Sequence, residues 1–309
     1  MADCKYPGKN LNYLSFIIVT YNSAETIGQC LQSLIRSVGT QQRYEIYVVD
    51  NNSQDTTAAI VEKEFPSAVL IRNDRNEGFA AAANKGARRA AGDLFFLNPD
   101  TVIPDNITQT IGQICDRFQT CGILGFQFAD IHGKPQPSVW RLPSISTLLA
   151  ESLLPYQLAL PLITVSPSRT TRTDMVSGGC MFVRRDLFLS LGGFDPDFFL
   201  YYEDADLCHR AAKMGQEIIY SPSVIIAHHG RNSFHGDYDR FFQEFYAGKL
   251  RYCSKHFMPF RYSLARMIVF LGIRLKIIAY RIAAAMSGKT EMSTLARAHS
   301  SAYRRIRGV

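Results

Sequence analysis

The stretches that decide the fold are residues 15–20, SFIIVT, and 44–49, YEIYVV. Each is a short, mostly apolar run, and a segment with apolar residues at helical spacing follows it. Similar runs lie at 68–71 and 94–97, and an alanine-rich helix is predicted between them at 78–91. Continuous apolar strands that alternate with helices are typical of a parallel sheet covered on both faces. The sequence therefore predicts an α/β fold with a mostly parallel central sheet.

Polar side chains follow three of the four predicted strands. They form the clusters 20–22 (Thr-Tyr-Asn), 50–52 (Asp-Asn-Asn) and 98–100 (Asn-Pro-Asp). In an open α/β sheet a ligand binds beyond the carboxyl ends of the strands, where helix N-termini converge. One cluster alone would be an ordinary turn, because Asn, Asp and Pro are common turn residues. Three clusters on the same edge favour a binding site.

The second half of the chain follows a less regular pattern. Its predicted elements before the tail are two helices, at 107–118 and 203–214, and three strands, at 121–128, 175–183 and 224–227. Residues 145–165 are apolar apart from Glu151, but Pro155 and Pro161 interrupt them. The interruptions argue against a transmembrane helix in this stretch.

An acidic pair, Glu203 and Asp204, directly follows the apolar and aromatic run 198–202 (FFLYY) and opens a predicted helix. Acids favour helix N-termini, where each contributes ~0.3–1 kcal/mol, so capping is the simpler explanation. Capping does not account for the apolar run before the pair. A carboxylate at the edge of an apolar surface has a raised pKa, which suits a general base. We therefore interpret the pair as a candidate catalytic base.

Asp100 and His228 are candidate metal ligands. Asp100 is a single carboxylate at the proposed rim, and one carboxylate with substrate phosphates is a common way to hold Mg²⁺. His228 follows a later predicted strand, and an imidazole ligand would favour Mn²⁺. A His–His pair such as 228–229 is more often structural, so these residues alone leave the role of His228 open.

The net charge of +7 is unevenly distributed along the 309 residues. From Lys249 onward there are 13 basic residues and one acid, Glu291, so this segment carries +12 and residues 1–248 carry −5. A nucleic-acid-binding domain carries its basic residues in a patch on the folded body, and we therefore expect no nucleic-acid partner. A basic tail favours contact with an anionic surface.

The composition is that of an ordinary globular protein, with 47% hydrophobic and 20% charged residues. Disorder and collagen are thereby excluded. The seven cysteines are scattered and form no C-x-x-C pair, which favours buried thiols in a reducing compartment. Residues 1–13 lack the apolar core of a signal peptide. We therefore expect a cytoplasmic protein.

The tail, residues 249–309, is predicted to be a basic, apolar helical extension. Its uncharged run 267–273 has seven residues, against the ~20 that a spanning helix needs. Basic residues flank and follow this run, at 266, 274, 276 and 281. Such a helix is typical of a membrane interface, although a helix packed on the body with solvated charges is the alternative. We hypothesise that the tail, with residues 145–165, docks on the cytoplasmic leaflet.

Seven short motifs, taken in order, resemble one family. They are 17–22 (IIVTYN), 48–53 (VVDNNS), 76–80 (NEGFA) with 84–86 (NKG), 97–100 (LNPD), 177–179 (SGG), 192–195 (GGFD) and 202–207 (YEDADL). The ordered set resembles the inverting glycosyltransferases of family 2, and among them the bacterial rhamnosyltransferase-like branch. The resemblance covers about residues 14–235.

The resemblance implies a GT-A fold, the fold of nucleotide-diphospho-sugar transferases. We expect a catalytic domain at 1–248, with a nucleotide-binding part at 14–103 and an acceptor and catalytic part at 104–248. The C-terminal extension at 249–309 would follow it.

The resemblance also implies roles for individual residues. The donor-binding residues would be Thr20, Tyr21, Asn22, Asp50, Asn51, Gly78, Asn84, Lys85, Asn98 and Asp100. The acceptor-binding residues would be Gly178, Gly179 and Tyr202. Asp100 would bind the metal with His228, because Asn98 replaces the first acid of the family's D-x-D motif. Asp204, or Glu203 as second choice, would be the catalytic base.

The implied activity is transfer of a sugar from a nucleotide diphosphate, with inversion and with Mg²⁺ or Mn²⁺. The expected donor is dTDP-L-rhamnose, or otherwise a UDP-hexose, and the acceptor a glycan or lipid-linked glycan of the cell envelope. A sugar-nucleotide-binding protein without transfer activity and a nucleotidyltransferase remain as alternatives. The latter would need a basic, G-x-G-rich first loop, which residues 21–25 (YNSAE) do not supply.

Overall fold

The structure is a computed structural model that describes residues 13–38, 42–230 and 237–307. The described residues form two compact units. The first unit comprises those within 1–140, 166–197 and 203–230, and the second those within 141–165, 198–202 and 231–309. Cys4 and the greater part of the N-terminal stretch 1–13, on which two sequence predictions rest, lie outside the described residues.

The strands of the described chain all lie in the first unit. They are β1 (Tyr13–Thr20), β2 (Arg43–Asp50), β3 (Val69–Arg72), β4 (Asp93–Leu97), β5 (Thr101–Val102), β6 (Cys121–Ala129), β7 (Pro135–Gln136), β8 (Val139–Trp140), β9 (Thr171–Arg172), β10 (Met175–Val176), β11 (Cys180–Val183) and β12 (Glu217–His228).

Helices occur in both units. Those of the first unit are α1 (Ile27–Val38), α2 (Thr57–Glu64), α3 (Phe79–Arg89), α4 (Ile107–Arg117), α7 (Arg185–Ser190) and α8 (Glu203–Lys213). Those of the second unit are α5 (Ile145–Leu153), α6 (Tyr156–Ile163), α9 (Tyr238–His256), α10 (Pro259–Ser287) and α11 (Thr290–Arg307).

Ten strands form one sheet in the order β3-β2-β1-β4-β11-β6-β12-β5, with β7 beside β6 and β9 beside β12. The long pairings, β3–β2, β2–β1, β1–β4 and β6–β12, are parallel. β11 lies antiparallel between β4 and β6. The mostly parallel central sheet predicted from the sequence is therefore confirmed.

Alternate side chains of β1 pack on opposite faces of the sheet. Phe16 and Ile18 belong to a core that also contains Leu31 of α1. Ile17 points to the other face, where Gly86 of α3 lies so close that an added Cβ would be 2.8 Å from Ile17 Cγ2. Because helices cover the strand on both faces, its sequence is apolar at consecutive positions.

Two predicted strands differ in the structure. The strand predicted at 175–183 is divided into β10 and β11 by the turn Ser177-Gly-Gly179. The strand predicted at 224–227 is the end of β12, which begins at Glu217. Its register with β6 shifts between Ser221 and Ile225, a segment that contains Pro222. Proline has no N–H for the ladder, so the pattern of a single long strand is broken there.

The second unit is entirely helical in its described part. Gly272 of α10 lies so close to α5 that an added Cβ would be 2.5 Å from Ser152 Cβ. Lys249 of α9 is 2% exposed and donates a 2.5 Å hydrogen bond to Glu151 Oε1 of α5. Residues 145–165 thus pack with the C-terminal helices. No helix in the described ranges is both long enough and apolar enough to cross a membrane.

Candidate active site

The ends of β1, β2 and β4 lie on one rim of the sheet. β1 is parallel to both neighbours, with Thr20 opposite Asp50 and Ile18 opposite Leu97. Thr20 Oγ1 donates a 3.0 Å hydrogen bond to Asp50 Oδ1. The structure therefore brings the polar clusters at 20–22, 50–52 and 98–100 to the same edge.

Asp50 is held from several sides. It is 3% exposed, and Ser53 donates to Oδ1 from its hydroxyl at 2.5 Å and to Oδ2 from its backbone N–H at 3.1 Å. Asn22, after the half-buried Tyr21, has a φ of 51° and accepts a 2.7 Å hydrogen bond from Gln54 N on its Oδ1. The loops after β1 and β2 are thus tied together on the rim.

Asn51 connects the rim to the start of α3. Its Nδ2 donates to Gly78 O at 3.0 Å, and its Oδ1 accepts from Asn73 Nδ2 at 2.8 Å. Lys85 Nζ donates to Asn73 Oδ1 at 2.8 Å and pairs with Glu77 Oε2 at 2.6 Å. Gly78 has a φ of 82°, which glycine adopts without strain. These residues form one network beside β2.

Asn84 is buried, and both ends of its amide bind Phe194. Its Nδ2 donates to Phe194 O at 2.7 Å, and its Oδ1 accepts from Phe194 N at 3.0 Å. Gly193 has a φ of 80°, and an added Cβ there would be 2.5 Å from Asn84 Oδ1. Arg210 donates to Gly193 O at 2.9 Å from the other side. Asn84 therefore holds the loop at 192–195 in place.

The turn Ser177-Gly-Gly179 joins the rim to the acidic pair. Gly179 O accepts a 2.9 Å hydrogen bond from Asn98 N, and Gly178 N donates at 3.0 Å to Asp204 Oδ2. An added Cβ on Gly179 would be 2.9 Å from Asn98 Nδ2, so a side chain at this position would displace the Asn98 amide. Two consecutive glycines thus contact the residue at the D-x-D position and the candidate base.

Glu203 and Asp204 differ in their hydrogen bonds. Glu203 is 5% exposed and its Oε2 has no partner among the described residues, and burial together with the charge of Asp204 raises the pKa of Glu203 well above its ordinary value. Burial also raises the pKa of Asp204, but N–H groups of Gly178 and Ala205 donate to its oxygens and counter this rise. The arrangement favours a proton on Glu203 and a negative charge on Asp204.

Asp100 and His228 face each other, with Nε2 of the imidazole 3.5 Å from Asp100 Oδ1. His228 Nδ1 is 3.0 Å from Gln136 Oε1, while Gln136 Nε2 donates to His228 O at 3.3 Å. Because an amide oxygen only accepts, Nδ1 carries the proton of the neutral ring and the lone pair of Nε2 faces Asp100. Burial lowers the pKa of His228, which favours the neutral ring.

Two acceptor atoms that face each other in this way suit a bound cation. A group of three or more His, Cys, Asp and Glu residues able to hold a metal does not occur within 13–38, 42–230 and 237–307. Asp100 and His228 therefore form a two-residue ligand set. Such a set leaves coordination positions for phosphate oxygens and water, as Mg²⁺ sites commonly do.

Tyr202 belongs to the second unit, unlike the other predicted site residues. Its ring packs against Phe245, with centroids 5.6 Å apart. Tyr201 and Tyr202 have φ values of 72° and 70°, which non-glycine residues rarely adopt. Gly248 permits this arrangement, because an added Cβ would be 2.6 Å from Tyr201 O. The packing of the second unit thus fixes Tyr201 and Tyr202 in this conformation.

Comparison with known proteins identifies the family. The family model "Glycosyl transferase family 2" matches residues 15–192, more than half of the chain. The chain belongs to glycosyltransferase family 2. The matched segment contains the rim, Asn84 and the Ser177-Gly-Gly179 turn.

Two relatives of this family 2 glycosyltransferase are rhamnosyltransferases by name. The N-acetylglucosaminyl-diphospho-decaprenol L-rhamnosyltransferase of Mycobacterium tuberculosis is 28% identical over 71% of this chain and 77% of its own length. The rhamnosyltransferase WbbL of Escherichia coli is 27% identical over 71% of this chain and 85% of its own length. The rhamnosyltransferase-like character implied by the sequence motifs is thereby confirmed.

Among solved structures, the mannosyltransferase PcManGT of Pyrobaculum calidifontis, in complex with GDP-Man and Mn²⁺, resembles this glycosyltransferase with a TM-score of 0.56. The alignment covers 94% of this chain and 85% of that one at 18% identity, so the likeness concerns the fold alone. The chain has the GT-A fold with C-terminal helices, as its motifs implied.

Several residues of the glycosyltransferase site carry no signal in the sequence. Gln136 lies in the two-residue strand β7 and is 92 residues from His228, which it orients. Asn73 follows β3 as an ordinary polar residue, and Arg210 lies within α8. Their contacts depend on strand order and on helix packing, which local patterns do not encode. Ser53 is the exception, because it lies in the VVDNNS motif itself.

Proposed function

We propose that this glycosyltransferase transfers L-rhamnose from dTDP-L-rhamnose to a lipid-linked glycan in cell-envelope polysaccharide synthesis. The observation that best supports sugar transfer is the turn at 177–179. This turn brings the Asp204 carboxylate next to the strand-end rim. The similarity to two rhamnosyltransferases supports the sugar and the class of acceptor. A UDP-hexose is the second choice of donor.

The proposed donor site is the rim. Thr20, Tyr21 and Asn22 would line the base pocket, where the bonds of Asp50 and Ser53 make the walls rigid. Asn51, Gly78 and Lys85 form the network beside it. A preorganised set of polar groups binds a nucleotide without paying for its own ordering. Asn98, next to Gly179, would face the sugar or ribose.

The proposed base is Asp204. The acceptor hydroxyl oxygen attacks the anomeric carbon, the bond from that carbon to the diphosphate breaks, and Asp204 takes the hydroxyl proton. Ionised Asp204 suits this role because two N–H groups stabilise its negative charge. Burial favours the protonated form of Glu203, which is therefore the second choice of base. A single displacement of this kind inverts the anomeric centre.

Asp100 and His228 would hold Mg²⁺ or Mn²⁺, with the donor diphosphate completing the ligand set. The facing lone pairs of Asp100 Oδ1 and His228 Nε2 support this assignment. When bound, the ion would stabilise the negative charge on the departing diphosphate. An imidazole ligand favours Mn²⁺ over Mg²⁺.

We also propose that the second unit associates with the cytoplasmic leaflet of the bacterial membrane. One face of α10 exposes the apolar stripe, which we define as Met267, Leu271, Leu275, Ile278, Ile282 and Met286. The spacing of three or four residues places them on one side of the helix. The opposite side, with Ala265, Val269 and Ile273, is buried. An exposed apolar stripe on a basic helix is typical of an interfacial segment.

The transfer proposal is tested by incubating the purified protein with a polyprenyl-diphosphate-linked GlcNAc, Mn²⁺ or Mg²⁺, and a panel of nucleotide sugars. We expect product with dTDP-L-rhamnose, and with inverted stereochemistry by NMR. If transfer occurs only from a UDP-hexose, the proposed donor is wrong, whereas the proposed site still stands. Tight donor binding without transfer to any glycan would instead indicate a sugar-nucleotide-binding protein.

A further inference from the structure

A groove between α10 and α11 carries three arginines. Its volume is about 380 Å³, and Arg281 of α10 lines it together with Arg297 and Arg304 of α11. Arg297 and Arg304 are two helical turns apart and therefore lie on the same face of α11. Ser293 and Ser300 also line the groove, and the Ser300 hydroxyl donates to Ala296 O at 2.8 Å. The groove thus brings three arginine side chains to one small volume.

None of these three arginines has a carboxylate partner within the described residues. Two neighbouring arginines do have partners. Arg305 pairs with Glu244 at 2.8 Å, and Arg274 lies 5.1 Å from the centroid of the Tyr303 ring. Three like charges around one groove repel each other, and a bound anion would relieve that repulsion. A guanidinium group binds phosphate oxygens through two parallel N–H groups, so phosphate is the anion that this groove suits.

The groove borders the apolar stripe. Ile278, which is 54% exposed, lies one helical turn before Arg281 on α10. A ligand that satisfies both features has an anionic head and an apolar tail. The surface therefore suits an amphiphile better than a free anion, because a free anion would leave the stripe in contact with water.

We propose that the groove formed by Arg281, Arg297 and Arg304 binds the phosphate headgroup of an anionic membrane phospholipid. The inference rests on the membrane association proposed above and deepens it by naming the lipid class. The stripe contacts the acyl region beside the bound headgroup. The groove makes the association selective for phosphate-bearing anionic lipids, whereas the stripe alone would bind any bilayer.

The test measures binding of the full chain to vesicles of phosphatidylcholine, of phosphatidylcholine with phosphatidylglycerol, and of phosphatidylcholine with oleate at the same surface charge. The groove variant is Arg281→Gln/Arg297→Gln/Arg304→Gln. The matched control is Arg261→Gln/Lys289→Gln/Arg307→Gln, which removes the same charge at exposed positions outside the groove. Circular dichroism and glycosyl transfer to a soluble acceptor confirm that both variants are folded.

We expect the parent to bind phosphatidylglycerol vesicles more tightly than oleate vesicles. The groove variant should lose this preference and bind phosphatidylglycerol about a hundredfold more weakly, since each cation near an anionic surface contributes about fivefold. The control should keep the preference. Equal loss of the preference in both variants, or its retention in the groove variant, would overturn the proposal in favour of diffuse attraction.

The remaining outcomes separate the two proposals. Equal binding of the parent to all three vesicles would leave the membrane association standing and refute the groove site. Absence of binding to any vesicle would refute both. Inorganic phosphate is the last probe: if it stabilises the parent against thermal unfolding while phosphatidylglycerol vesicles do not compete for it, the groove binds free phosphate and the lipid assignment is wrong.

Discussion

Asp204 accepts a 3.0 Å hydrogen bond on Oδ2 from the backbone N–H of Gly178. Gly178 is followed by Gly179, whose carbonyl oxygen accepts from Asn98 N, so this turn holds the Asp204 carboxylate beside the strand-end rim. Asp204→Asn keeps the shape of the side chain but replaces the basic carboxylate with an amide, which does not take up the acceptor proton. We expect transfer to fall about 10²–10⁴-fold, the usual contribution of a general base.

Donor binding separates this effect from misfolding. Asp204→Asn should bind the nucleoside diphosphate with nearly parental affinity by calorimetry, because Asp204 does not belong to the rim. Asp186→Asn, at an exposed position of α7, is the matched control and should transfer at the parental rate. If Asp204→Asn is as active as the control, another group is the base.

Glu203→Gln should behave differently from Asp204→Asn. Burial and the charge of Asp204 raise the pKa of Glu203 well above its ordinary 4.5 and so favour the neutral carboxyl group, which glutamine resembles closely. Transfer should therefore fall far less than in Asp204→Asn. A loss of activity as large as that of Asp204→Asn would make Glu203 the base.

Stability gives a second measurement for Glu203. A carboxyl group whose folded pKa is raised contributes its stabilisation at low pH and loses it as pH rises through the folded pKa. The parent should thus lose unfolding free energy above about pH 4.5 relative to Glu203→Gln. Urea unfolding of both proteins across this range checks the sign. A difference that does not change with pH would mean that Glu203 is ionised.

The sequence predicts the rim well because its signal is local. β1, β2 and β4 are buried on both faces, so each is a continuous apolar run that ends at a polar cluster. The same kind of local pattern predicts β10 and β11 as one strand, because Ser177-Gly-Gly179 interrupts the apolar run only briefly. Close approach of Asn98 to Gly179 is what requires the turn, and that contact joins segments far apart in sequence.

The second unit is harder to predict from the sequence, because its packing joins segments that lie far apart along the chain. Residues 141–165 and 198–202 pack with α9 and α10 although 100 residues or more can separate the partners, as Glu151 and Lys276 illustrate. The sequence predicts a helical extension over 249–309 but not which apolar side chains in it are covered. Tertiary contacts, such as that of Gly272 with Ser152, distinguish the buried face of α10 from the apolar stripe.

Gln136 should tune metal binding without contacting the metal. Its Oε1 fixes the proton on Nδ1 of His228 and so presents the Nε2 lone pair to the site. Loss of such a partner typically weakens metal binding 10–100-fold.

We expect Gln136→Leu to weaken Mn²⁺ binding by about this factor in calorimetry with dTDP present. Gln113→Leu, at an exposed position of α4, should leave it unchanged. Unchanged affinity in Gln136→Leu would argue that His228 is not a ligand.

The apolar stripe should determine vesicle binding. Fully burying a Leu or Ile side chain contributes roughly 1.5–3 kcal/mol, so Leu271→Ser/Leu275→Ser/Ile278→Ser should reduce vesicle flotation at least a hundredfold. The matched control, Val69→Ser/Leu189→Ser/Met214→Ser, removes exposed apolar side chains from the first unit and should float like the parent. A stripe variant that floats as the parent does would show that the stripe does not enter the bilayer.

Lys276 should make the stability of the second unit depend on pH. Burial, with Lys249 nearby, lowers its pKa from 10.5 to about 8, and its Nζ donates to Glu151 O at 3.1 Å. Between these two pH values the unfolded chain holds a proton that the folded chain has released, so the unfolding free energy should rise with pH.

Lys276→Met removes the titrating group and should remove this rise relative to the parent. Lys289→Met, at an exposed position after α10, should retain it. Urea unfolding at several pH values in this window decides the matter, since a slope shared by all three proteins would mean that Lys276 is charged in the folded state.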